Sequence, residues 1–89
     1  MDFPDLQAIV GTTCSEYEQE FIRTEYGFGL SYYLERLDRL MFSGGCVLDA
    51  GCGAGQWSIA LSRRFDRVEA VDLKPERLTV LGRVAKMMG

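Results

Sequence analysis

The sequence predicts an α/β fold with parallel strands, entered through helices, and three observations carry that prediction. Residues 46–73, CVLDAGCGAGQWSIALSRRFDRVEAVDL, read as strand, glycine turn, helix and strand, with an acid at the end of each strand. The first strand, Cys46 to Ala50, lacks polar alternation, as expected of a strand covered on both faces by helices. From Leu30 to Phe42 the residues Leu30, Tyr33, Leu34, Leu37, Leu40 and Met41 recur at three- and four-residue intervals, the period of an amphipathic helix.

Taken in order, residues 1–13 form an irregular lead-in containing Pro4 and Gly11. A helix start follows at Ser15, with Glu18 three positions on as in a capping box, and Tyr17, Phe21 and Ile22 sharing one face. The run YGFG at residues 26–29 breaks this helix, because each glycine weakens a helix by about 1 kcal/mol. The helix of residues 30–42 stops at Ser43, Gly44 and Gly45, where glycine can take the left-handed conformation of a C-cap. After the strand of residues 46–50 and its turn, residues 57–65 are predicted helical and residues 67–73 form a second strand, with Glu69 its exposed interruption. Pro75 suits the first turn of a last helix, since its missing N–H has no partner to lose there. Leu78, Leu81, Val84 and Met88 continue that helix to the end.

Composition narrows the class of protein. Eighty-nine residues, 47% hydrophobic and 26% charged, are the proportions of a globular domain. Ten Lys and Arg against 13 Asp and Glu leave a formal charge of -3, which does not support binding to a nucleic-acid backbone through clustered cations. The small cluster Arg63, Arg64 and Arg67 is expected to cover the end of a helix. Cys14, Cys46 and Cys52 show no CxxC spacing, and the chain has no histidine, so neither a zinc site nor an imidazole-activated nucleophile is indicated. The acidic first residues resemble no signal peptide and no apolar run approaches the roughly 20 residues of a membrane span. A cytoplasmic protein is expected.

The glycine turn and the two acids form the candidate site. A strand that turns sharply into a helix presents backbone N–H groups to a ligand, and glycine lets that ligand approach closely. Asp72 lies twenty-three residues after Asp49, at the carboxyl end of the second strand, where open α/β sheets hold ligands. A carboxylate there can accept from both hydroxyls of a ribose. Gln56 and Trp57 stand where a P-loop needs Lys and Ser or Thr, and Gly51, Gly53 and Gly55 give GxGxG rather than the dinucleotide pattern GxGxxG. Asp49, just before the turn, would repel a pyrophosphate and suits a ligand carrying a cation. Cys52 is expected as a small turn residue. Trp57, Tyr26, Phe28, Tyr32 and Tyr33 are expected mainly in the core, with a roof over the ligand as their alternative role.

At these residues the chain resembles the class I S-adenosylmethionine-dependent methyltransferases. VLDAGCGAG matches their pattern hydrophobic-Leu-Asp-x-Gly-x-Gly-x-Gly, and VEAVDLKPERL resembles their second motif. The resemblance covers roughly half the chain. It implies a Rossmann-like, doubly wound seven-stranded sheet, of which residues 46–89 supply the first βαβ part and residues 1–45 a helical extension. It further implies S-adenosyl-L-methionine as cofactor, with Gly51, Cys52 and Gly53 along its methionine part and Asp49 organising the loop and the amino group. Asp72 would then hold the ribose and Leu73 would contact adenine.

The implied reaction is methyl transfer to an unidentified small-molecule acceptor, with no catalytic base among these residues and no metal. A nicotinamide-linked Rossmann oxidoreductase and a non-catalytic Rossmann-like module, binding a partner through residues 30–42, are the alternatives. With two of seven strands, the chain is expected to be an incomplete domain, inactive alone and marginally stable, with an unpaired strand edge and one uncovered sheet face.

Overall fold

A computed structural model describes residues 2–13 and 15–89; Cys14, one of the three cysteines weighed above, lies outside the described residues. The elements run α1 (Leu6–Val10), α2 (Glu16–Tyr26), α3 (Leu30–Arg39), β1 (Gly44–Ala50), α4 (Gln56–Leu61), β2 (Phe65–Val71) and α5 (Pro75–Met88).

The lead-in is not wholly irregular. Asp5 caps α1 by accepting from the Gln7 N–H at 2.8 Å, and the helix buries Ile9 and Val10. Pro4 and Gly11 act as its boundaries rather than as signs of a loop. Asp2 serves a second helix: its Oδ1 accepts from the Leu30 N–H at 2.8 Å, capping α3 from a distant part of the chain. The capping box of α2 forms only in half. Ser15 Oγ accepts from the Glu18 N–H at 3.3 Å, but the Glu18 carboxylate is engaged by Arg77 and Lys74. Of the expected apolar face, Ile22 is buried and Phe21 half-buried, whereas Tyr17 is 69% exposed.

The third helix ends three residues before Phe42, and a methionine rather than a glycine performs the stop. Met41 takes φ 57. Its N–H donates to the Asp38 carbonyl at 3.1 Å and the Phe42 N–H to the Leu37 carbonyl at 3.0 Å, the paired bonds of a Schellman motif. This frees Gly44 and Gly45 to begin β1 two residues earlier than expected, with the Gly44 N–H donating to the Arg64 carbonyl at 3.1 Å. On the other side of the unit, α4 stops at Leu61 and Phe65 opens β2, so the predicted strand of residues 67–73 is shifted by two residues and excludes Asp72 and Leu73. The Phe65 ring packs against the buried core, which explains its place in the strand.

The two strands are parallel, with Val47 opposite Val68, Leu48 opposite Glu69, Asp49 opposite Ala70 and Ala50 opposite Val71. One face rests through Val47 and Val68 on the core. The other face is open to solvent, with Leu48 62% and Val71 47% exposed. This corrects the expectation of a strand buried on both faces, and it agrees with the expected uncovered face of a two-stranded sheet. The core draws on every helix: Ile9, Ile22, Leu30, Tyr33, Ile59 and Val84 are buried together. In α5 it is Val80 and Val84 that point inward, while Leu78 is 37% exposed. Among the described residues no helix is long and apolar enough to cross a membrane.

Candidate functional site

The glycine turn joins β1 to α4 and crosses the carboxyl end of β2. The Cys52 N–H donates to the Val71 carbonyl at 2.9 Å, continuing the parallel pairing one step beyond the strands. The next amide of the turn, the Gly53 N–H, donates to Asp72 Oδ2 at 2.9 Å. Asp72 Oδ1 accepts from the Lys74 N–H, also at 2.9 Å. The two sequence motifs are therefore tied by a direct bond between glycine turn and acid. These two N–H donors, Lys74 first, hold the Asp72 carboxyl below the usual carboxylate range, with the Arg77 and Lys74 charges adding to the effect. A carboxylate offers about four acceptor positions, so each oxygen keeps room for a hydroxyl donor.

Gly51, Val71, Asp72 and Leu73 line a cavity of about 240 Å³. Leu73 stands fully exposed at its edge. Gly51 has φ +68 and faces open space where a side chain would be. Gly53, at φ +59, instead lies under the Phe21 ring of α2, so close that a Cβ would sit 3.1 Å from it. Gly55 lies against Leu81 of α5, whose side chain an added Cβ would meet at 2.6 Å.

Asp49 and Cys52 complete the group. Asp49 Oδ2 accepts from the Ser58 hydroxyl at 2.6 Å, which links the acid of β1 to the first turn of α4. Cys52 is 4% exposed. Burial pushes its thiol pKa up, and the charges of Asp49 and Asp72 push it further, so it stays protonated and is no nucleophile at neutral pH. Both acids bear on the turn, Asp72 through its bond to the Gly53 N–H and Asp49 through Ser58 of the helix that follows it. A site in the field of two carboxylates suits a ligand with a cationic centre and opposes one with a pyrophosphate.

The N-terminal helices wall this turn. The buried Tyr26 hydroxyl donates to the Ala54 carbonyl at 2.7 Å. Glu18, 6% exposed, accepts from Arg77 Nε and Nη2, each at 3.2 Å, and lies 3.5 Å from Lys74 Nζ. The Arg77 guanidinium also lies 4.4 Å from the centre of the Phe21 ring. None of these contacts was foreseen. Pro75 marks the start of α5 and so places Arg77 in its first turn, but nothing local marks Glu18, 59 residues earlier, as its partner. Ser58 likewise carries no signal beyond lying in the helix after the turn.

The aromatic residues pack as expected. Tyr33 meets Trp57 edge to face at 4.7 Å, and Phe3 meets Tyr26 at 4.7 Å. Phe28 is the exception: it is 54% exposed, stacked on Tyr32 at 4.5 Å. Of the basic cluster, Arg64 grips Asp38 through two bonds of 2.6 and 3.0 Å and Arg67 pairs with Glu69. Among the described residues no group of Cys, Asp and Glu is arranged to hold a metal ion.

Residues 47–89 match the family described as a methyltransferase domain. Curated relatives from Xylella fastidiosa strains M23, Temecula1 / ATCC 700964 and 9a5c are each named ubiquinone biosynthesis O-methyltransferase, and each is 50% identical over 42 residues. The matched stretch is 47% of this chain and 17% of each relative, so the chain spans only a minor part of their length. No solved structure matches the chain.

Proposed function

We propose, from the match of residues 47–89 to the methyltransferase domain family, that the glycine turn and Asp72 bind S-adenosyl-L-methionine and that the protein serves methyl transfer to a small-molecule acceptor. The parallel unit β1–α4–β2 is the first βαβ of that family's Rossmann-like fold. The observation that carries the proposal is the bond from the Gly53 N–H to Asp72, which makes one site of the two motifs. In this reading Gly51, Cys52 and Gly53 offer their backbone to the methionine part, Asp49 steadies the turn through Ser58, Asp72 accepts from the ribose hydroxyls and Leu73 lies against adenine.

The residues fit such a cofactor. Gly51 leaves its ligand side open, Asp72 keeps free acceptor positions, and the two acids favour a cationic ligand. The cofactor supplies the activated methyl on a sulfonium. What these residues contribute is orientation and the exclusion of water from one flank, the part that Phe21 and Tyr26 of α2 close over the turn. No proton transfer is assigned to them. The relatives' name, ubiquinone biosynthesis O-methyltransferase, directs the choice of acceptor towards an oxygen atom, and a cytoplasmic location belongs to the same reading. The division into a helical extension, residues 1–45, and a cofactor-binding part, residues 46–89, is also proposed, with α2 forming part of the site wall.

Calorimetric titration with S-adenosylhomocysteine tests the proposal. Single-site binding that is lost in Asp72→Ala, while circular dichroism is unchanged, supports it; absence of binding, or binding indifferent to Asp72→Ala, overturns it.

A further inference from the structure

Lys74 and Arg77, the first two cations after Asp72 in the chain, are both held by one carboxylate from a different part of the chain. The Lys74 N–H bonds Asp72 Oδ1, its ammonium lies 3.5 Å from Glu18 Oε1, and Arg77 reaches both Glu18 oxygens at 3.2 Å. Glu18 is buried, and a buried carboxylate is costly unless it is paired. The four charges Glu18, Asp72, Lys74 and Arg77 sum to zero. Arg77 is fixed further by the Phe21 ring, which in turn covers Gly53. The cations are thus committed before any ligand arrives.

We propose that Glu18 is a specificity-determining residue: by holding Lys74 and Arg77 it denies them to a phosphate, so that the site takes nucleosides with free ribose hydroxyls and rejects those phosphorylated at the ribose. The inference rests on the cofactor reading above, which puts a ribose at Asp72. Its logic is that of nucleotide-binding sheets generally, where an acid at the end of the second strand selects ribose hydroxyls and a nearby free arginine admits a 2′-phosphate. Here the arginine is present, and the buried glutamate neutralises it. Removing the glutamate charge leaves Lys74 and Arg77 only the Tyr17 and Phe21 rings of α2, at 5.4 and 4.4 Å, and no carboxylate there, so that a phosphate becomes the natural counter-ion.

Titrations of wild type and Glu18→Gln with adenosine, adenosine 2′-monophosphate and S-adenosylhomocysteine provide the test. The variant is expected to gain about tenfold in affinity for adenosine 2′-monophosphate, with adenosine unchanged, and to lose that gain as salt is raised. No gain for the phosphate, or an equal gain for adenosine, overturns the proposal. If Glu18→Gln does not fold, Lys74→Ala decides: with Lys74 already neutralised, its affinity for adenosine 2′-monophosphate stays within about twofold of wild type, and a larger loss overturns the proposal. Wild type that binds neither S-adenosylhomocysteine nor adenosine removes the cofactor reading and this inference with it. Binding of both with no effect at Glu18 removes the inference alone.

Discussion

Gly55→Ala probes the contact that fixes α5 against the glycine turn. Gly55 has φ +95, a conformation that costs an L-residue about 1–2 kcal/mol. Its added methyl would also lie 2.6 Å from Leu81 Cδ1 and 2.8 Å from Leu81 Cβ. The second contact is with the root of the side chain, so rotation of Leu81 cannot relieve it, and overpacking of this kind costs about 1–3 kcal/mol. The sum is about 2–5 kcal/mol, or a fall in Tm of roughly 10–25 °C for a domain of this size. Thermal unfolding followed by circular dichroism measures it. Gly51→Ala is the control, since Gly51 shares the positive φ but faces open space, and it should lose only about 1–2 kcal/mol. Adding Leu81→Ala to Gly55→Ala should recover part of the steric share. Equal losses at Gly51 and Gly55, or no coupling between Gly55 and Leu81, would refute the packing argument.

Met41→Gly should raise stability by about 1 kcal/mol, because Met41 is 86% exposed and occupies the left-handed stop of α3; a lower Tm in the variant contradicts the assignment. Acid lability should involve Asp72, whose folded pKa lies below its unfolded value of 3.8: its stabilisation is present above that pH and disappears as pH falls through the folded value, so Asp72→Asn should flatten the denaturant midpoint below about pH 4. Alkali acts through Tyr33, whose pKa burial raises from 10.0 to about 12, and through Tyr26, raised for the same reason. Both contribute fully below pH 10.0 and less as pH rises through their folded values; Tyr33→Phe should therefore weaken the fall in stability between pH 10.0 and about 12.

The βαβ unit was legible because its signals are local. The turn glycines, the apolar strand and the spacing of Asp49 and Asp72 all lie within one crossover. The boundaries drifted where two residues compete for one role. Gly44 and Gly45 carry the usual signal of a helix stop, yet Met41 takes it, because the Schellman bonds close earlier and the glycines pair with β2. Phe65 reads as the end of a helix but enters the strand, since its ring fits the core. The site's outer contacts were illegible for a different reason. Glu18 with Arg77, Asp2 with Leu30 and Tyr26 with Ala54 join residues 59, 28 and 28 positions apart, and no periodicity encodes such pairs.

The central claim is that the turn and Asp72 form the ligand site, and residue-resolved amide NMR during titration with S-adenosylhomocysteine tests it most directly. The largest shifts are expected at Gly51, Gly53, Leu73 and Lys74, with Arg83, Lys86 and Met87 unaffected although they line a larger cavity of about 480 Å³ beside α1. Shifts centred on that second cavity, with the amides of the glycine turn unmoved, would contradict the account.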